Sequence, residues 1–479
     1  MVRVGDVSRS LNERVRNEHL GTKTALIDRS RATIEMLWIE MRRSVCLWMF
    51  PFLVAALCWM VYDGLPTGIW LWPQTVASLQ VSIVLYGPLV GGLAAWVAGR
   101  EYRRGLKGFL STTSRPEADR DFALWGATAV WCGLVYGITV AVFFLLTYLN
   151  ATWGTPAVWP IAVGLLSIAS HTALGYAVGL YLPSRFTAPL YAVVIFWLQS
   201  ILGLRDWKSP VHNLLTVGDY SGIATVFYKQ TINFYAPQSL WLLGLTAAML
   251  ATIAVIRQRS TVAFTALALA AAVTIFGAAL LLRMPPPALA HEQEAPVRYE
   301  PICKVGRIPV CVHTAYKSVL PETITLVDEL TRPLAGLPNA PKRAEQRGEN
   351  SNPARLLKNG TLVFDLRGGF DRGNASMGVS FQNYVGGDIA SALVTEPSGF
   401  GYLEGPQLVV AGWLLWQTCP YESVISEPFH NATGGGFISP KVEDAIERFD
   451  ALNPAERSKW LEENYTDLRA GKLTLRDLP

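Results

Sequence analysis

Arg100-Glu-Tyr-Arg-Arg-Gly-Leu-Lys-Gly-Phe-Leu-Ser-Thr-Thr-Ser-Arg-Pro116 carries five cations against one acid and lies between two long apolar runs. A basic segment between two membrane spans is expected on the cytoplasmic side, where Lys and Arg accumulate in short loops. Its apolar residues Tyr102, Leu106, Phe109 and Leu110 follow helical spacing, which would place them on one face. Two readings follow. The stretch is an ordinary positive-inside loop, or it is a short two-faced helix that docks on something in the cytosol.

The surrounding composition is that of a membrane protein. Of 479 residues, 51% are hydrophobic and 16% charged, too apolar for an ordinary soluble chain. Most of the charge falls in three polar stretches, so the net +4 reads as membrane topology and not as nucleic-acid binding. The first forty residues are polar and basic, and no signal peptide is expected there. Cys46, Cys58 and Cys132 lie in apolar runs, as small hydrophobes do. Cys303, Cys311 and Cys419 lie in the polar C-terminal third.

Before the first apolar run, Ile34, Leu37, Trp38 and Met41 share one helical face, and Arg31, Glu35 and Arg42 another. That pattern predicts an amphipathic helix lying in the membrane interface. Seven runs free of Asp, Glu, Lys and Arg then follow, at about 45–61, 76–98, 122–149, 158–182, 186–204, 239–256 and 262–282. Each is long enough to cross a bilayer. Eighteen Lys and Arg fall in the N-terminal 44 residues, the 99–121 loop and the turns at Arg185 and Arg257/Arg259, against three in loops 62–75, 150–157 and 205–238. This asymmetry predicts a cytoplasmic N-terminus and, with an odd number of spans, a C-terminus on the other side. Gly87/Gly91, Gly133/Gly137 and Gly175/Gly179 are spaced as small residues are where helices pack closely in lipid. The loop 205–238, rich in aromatics, is expected to form one or two short helices at the outer surface.

The predicted fold class is an all-α polytopic bundle followed by an extracytoplasmic α+β domain. Residues 1–43 form the tail and interfacial helix, 44–282 the membrane domain, 283–300 a Pro-rich linker and 301–479 the outer domain. Within the last, Ile308–Val312 and Thr361–Leu366 read as strands. Glu322–Leu334, Pro406–Gln417, Lys441–Leu452 and Pro454–Ala470 read as helices, and 337–359 as a loop.

Few motifs carry chemistry. The chain has no Gly-x-x-x-x-Gly-Lys-[Ser/Thr] phosphate loop and no nucleophile elbow around its serines. Cys303-x7-Cys311-x-His313 admits a zinc site or, in an oxidising compartment, a disulfide; the disulfide is the simpler reading, with Cys419 as an alternative partner. His171 stands in the middle of the fourth run, where an ionisable residue is a functional candidate, although a neutral histidine bonded to backbone explains it too.

Taken in order, an amphipathic helix, two spans and a basic loop of the form Glu101-x-x-x-Gly105-x-x-x-x-Leu110-x-x-Thr113 resemble the permease subunits of ATP-binding-cassette (ABC) exporters. The likeness is to the six-span class that moves drugs, peptides, lipids and polysaccharides, and it covers about residues 28–256. It implies that Glu101, Arg103, Arg104, Gly105, Leu106, Phe109 and Leu110 form a coupling helix that fits a groove on a separate ATPase subunit. It further implies a dimer of permeases in the lipid bilayer, with ATP and Mg held by the ATPase and no cofactor by this chain. Trp48, Trp59, Tyr86 and Trp96 would line the substrate side or the lipid side. A seventh span and a folded outer domain depart from the family plan, and a membrane-anchored extracytoplasmic binding or sensor protein is the competing reading.

Overall fold

The computed structural model describes residues 34–105, 117–205, 209–216, 226–229, 232–284, 295–296, 298–347, 354–370, 380–396, 403, 405–418 and 440–479. Among these residues, six helical segments are long and apolar enough to cross a membrane, so the chain is a membrane protein. Residues 34–43 form a short helix, α1. Ser44 then accepts a hydrogen bond from the Cys46 backbone at 3.2 Å and caps α2, Val45–Asp63. A hydroxyl in that place satisfies an amide that has no partner within the helix.

The second crossing is Trp72–Ala98, built from α3, Trp72–Val81, and α4, Ile83–Ala98. The two meet at Ser82, whose hydroxyl donates to the Leu79 carbonyl at 2.8 Å. There follow α5, Glu117–Asn150, α6, Val158–Tyr181, α7, Thr187–Arg205, α8, Ile232–Gln258, and α9, Thr261–Leu282. Where the sequence suggested a crossing over 186–204, α7 is present, but its apolar part, Thr187–Ile201, is shorter than the six. Before Phe122, α5 already begins at Glu117, because acids in a first turn complement the helix dipole. Of the expected outer-loop helices, one turn is described, His212–Leu215, held by Trp241 Nε1 donating to the Leu214 carbonyl at 3.1 Å.

Packing sorts the crossings. In Trp72–Ala98, 72% of the apolar window is buried, and in α6 61%, against 17% for α2 and for α9. The second crossing and α6 therefore make the centre. A Cβ on Gly175 would collide with the Gly91 carbonyl, and one on Gly179 with that of Ala95; α4 and α6 approach backbone to backbone. Among the described residues, Gly133 and Gly137 have no such neighbour: the nearest atom to a Cβ at Gly133 is 3.9 Å away, and at Gly137 there is none within 4 Å.

The C-terminal part is a mixed sheet wrapped by helices. Its strands are β3, Pro301–Val305, β4, Pro309–His313, β5, Arg343–Gln346, β6, Arg355–Leu356, and β7, Thr361–Phe364, in the order β3-β4-β5-β7-β6. β4, β5 and β7 run parallel, and β3 and β6 antiparallel to their neighbours. Cys303 and Cys311 face each other across β3 and β4 and are joined in a disulfide, which leaves no thiolates for zinc.

The expected loop 337–359 is corrected: it holds β5 and β6. β5 escapes a hydrophobic pattern because its inward positions are Ala344 and Gln346, and Gln346 accepts the His313 backbone N–H at 3.0 Å. The helices α10, Leu320–Thr331, α11, Phe381–Val394, α12, Pro406–Trp416, α13, Pro440–Ala451, and α14, Pro454–Arg469, complete the core. α11 was not foreseen; Ser380 caps it by accepting from Asn383 at 3.2 Å.

This core is continuous with the bundle. Ile69 and Leu71, between α2 and α3, and Val226, between α7 and α8, are buried in the same apolar cluster as Val310, Leu326, Ile389 and Val410. Thr67 donates its backbone N–H to the Phe370 carbonyl at 2.7 Å, and the Thr152 hydroxyl donates to Ala315 at 3.1 Å. The two-residue strands β1, Tyr228–Lys229, and β2, Ala295–Pro296, pair antiparallel. Three loops of the bundle thus meet the C-terminal part at one end, and the basic stretch lies at the other.

Candidate functional site

At that other end, α4 continues into a single turn, Arg100–Arg103, and at Gly105 φ is +67°. A left-handed backbone there favours glycine. Leu106, Phe109 and Leu110, the expected apolar anchors of a coupling helix, lie outside the described residues.

The described part of the stretch is braced on both sides. Arg100 bonds Glu40 of α1 at 3.1 Å. Glu101 pairs with Arg120 of α5 at 2.9 Å. Burial pushes the Glu101 carboxyl above its ordinary range, and Arg120 offsets this only in part. Behind the pair, Arg257 at the end of α8 reaches two acids of α5, Glu117 and Asp121, the second at 2.9 Å. Tyr176 of α6 donates its hydroxyl to the other Asp121 oxygen at 3.0 Å. Asp121 is 2% exposed, so its charge depends on these partners. One cluster therefore ties the stretch to α1, α5, α6 and α8.

Arg103 turns back over the Trp96 ring, 4.0 Å from its centroid, and donates to the Trp96 carbonyl at 2.6 Å. Arg104 is exposed. On α1, Leu37 packs against Gly126 of α5, and the Met41 carbonyl accepts from Trp131 Nε1 at 3.0 Å. Ile34 and Trp38 point outward, 65% and 54% exposed, as side chains do that rest among lipid headgroups and chains. The face read from the sequence is therefore divided between the bundle and the surroundings.

His171 lies against Gly87. Its Nδ1 donates to the Ser167 carbonyl at 2.9 Å, and its Nε2 accepts from the Gln199 amide at 3.2 Å. The same amide donates to the Leu215 carbonyl at 3.1 Å. As a neutral ring it links α6, α7 and the turn beyond α7. Trp48, Trp59 and Trp96 are exposed, whereas Tyr86 is buried and donates to the Cys132 carbonyl at 2.9 Å.

Glu40, Glu117, Asp121, Tyr176 and Arg257 were not picked out from the sequence. The available signal was that Glu117 and Asp121 stand four apart at a helix start, opposite the small number of cations that end the later spans. At the far end, His313 is enclosed by Trp153, Phe227 and Tyr299, with ring centroids at 4.9, 5.4 and 6.3 Å. Burial holds its imidazole below the ordinary range, and its Nδ1 accepts the Ala315 N–H at 3.1 Å. Among the described residues, no group of three or more His, Cys, Asp and Glu is placed to hold a metal ion. Comparison of the chain with family models, curated proteins and solved structures found no match in any of the three.

Proposed function

We propose that the chain is the membrane-spanning subunit of an ABC exporter, moving a hydrophobic or amphipathic substrate and driven by ATP hydrolysis on a separate ATPase subunit. Two such permeases, identical or paralogous, work over two ATPases, with residue 1 in the cytoplasm, seven crossings and the C-terminal part outside. The observation that carries the reading is the brace around Arg100 and Glu101. A loop that only marked topology needs charge and no fixed shape. This one hangs from the most buried crossing and is pinned to α1 and α5, and through Asp121 to α6 and α8. A push delivered beyond Gly105 would reach four helices at once.

The test is on Leu106, Phe109 and Leu110. Changed together to Ala, they should leave insertion and thermal stability intact while abolishing co-purification of the ATPase. Each large side chain withdrawn from an apolar groove costs about 1–3 kcal/mol of association. A triple variant that still brings down its ATPase with full turnover would sink the exporter reading and favour the anchored sensor.

A further inference from the structure

A cavity of about 120 Å³ opens between α1, the end of α4 and the start of α5, lined by Glu40, Trp96, Arg100, Arg103, Arg104 and Thr128 among others. Among the described residues, three guanidinium groups border it against one carboxylate, a local charge of about two positive. Its other wall is apolar, made by Val45, Val97 and Leu124. Val45 and Trp96 are 41% and 40% exposed, so the cavity opens onto the outward surface of the bundle. Arg100 and Arg103 are already held in place, the first by Glu40 at 3.1 Å and the second over Trp96 at 4.0 Å. Side chains ordered before a ligand arrives lose little freedom on binding it.

We propose that this cavity holds the phosphate of an anionic phospholipid, with Arg103 and Arg104 as its principal donors and the acyl chains running out past Val45 and Trp96. Guanidinium groups match phosphate oxygens geometrically, and basic pockets between helices at a membrane surface are built to hold such headgroups. The apolar wall selects a lipid over a free anion, because inorganic phosphate has nothing to place against Val97 and Leu124. The inference needs the bundle to lie in a membrane and does not rest on the exporter reading. The bound lipid would sit between α1 and the basic stretch, where it would stiffen their contact.

The test is native mass spectrometry of the full chain released from nanodiscs of equal phosphatidylglycerol and phosphatidylcholine. Wild type should retain one phosphatidylglycerol per chain. Arg103→Gln with Arg104→Gln should lower that retention at least about tenfold, while Arg103→Lys with Arg104→Lys, which keeps the charge but not the planar fork, retains an intermediate amount. Should the glutamine pair fail to fold, Arg104→Glu alone serves, since Arg104 is exposed. A second arm adds inorganic phosphate at millimolar concentration to the detergent-purified protein; displacement of the lipid would make this a free-phosphate site and overturn the lipid assignment. Equal retention of phosphatidylcholine, or undiminished phosphatidylglycerol in the glutamine variant, would overturn it as well.

Discussion

Arg257 Nε lies 2.9 Å from Asp121 Oδ2, although 136 residues separate the two in the chain. The pair joins α8 to α5 at the end of the bundle where the basic stretch leaves α4. Breaking a buried pair from one side is far more costly than removing both partners, because the remaining charge stays out of water. Arg257→Met is expected to destabilise the protein by about 3–5 kcal/mol. Arg257→Met with Asp121→Asn should recover much of the loss. Thermal unfolding in detergent distinguishes the two; equal losses would mean that the pair contributes little.

Glycine spacing gives the second test. Gly175→Val drives a side chain into the backbone at Gly91 and should cost about 1–3 kcal/mol or more, seen as a lower melting temperature. Gly137→Ala meets nothing within 4 Å and should be neutral or stabilising by up to about 1 kcal/mol. A tolerated valine at 175 would contradict the close approach of α4 and α6.

Acid dependence is predicted for the C-terminal part. Burial, with the nearby Asp365 carboxylate, pushes Asp388 up to about 7, against an unfolded value near 3.9. Because the folded state holds this proton more tightly, the group's contribution is fully present below about pH 4 and lost as pH rises through 7. Asp388→Asn should therefore melt a few degrees higher than wild type at pH 8, with the gap closing toward pH 4. A gap that widened in acid would refute the assignment.

Orientation is open to labelling. Lys472→Cys in the C-terminal part should react with a membrane-impermeant maleimide in intact cells, and Tyr102→Cys, on the basic stretch, only after lysis. Both residues are exposed. The reverse pattern would invert the proposed topology.

What the sequence revealed, and what it hid, follows from the range of the interactions. Charge-free runs mark the crossings because lipid excludes unpaired charge, a local rule that needs no partner. Cys303 and Cys311 are eight residues apart and could be paired by eye. β5 was hidden because one of its two core-facing side chains is a glutamine, whose role appears only beside His313. α11 was hidden by Gly386 and Gly387, poor helix formers; a Cβ at Gly386 would come within 2.9 Å of Leu415, so packing requires the small residue. The spacing of Glu117 and Asp121 marks the acids, but their pairing with Arg257 could not be read, since nothing local joins a first turn of α5 to a last turn of α8.

Three connections of the bundle end on one support: Thr67 on Phe370, Thr152 on Ala315, and Phe227 on His313. The helices that lead into these connections cannot part from one another at that end without tearing an apolar core or carrying it along. The C-terminal part is a yoke across the mouths of α2 and α3, α5 and α6, and α7 and α8. Any opening on that side is then a movement of one body and not of separate helices. On the proposed function, a path would then form beside the yoke and not up through the middle of a single chain.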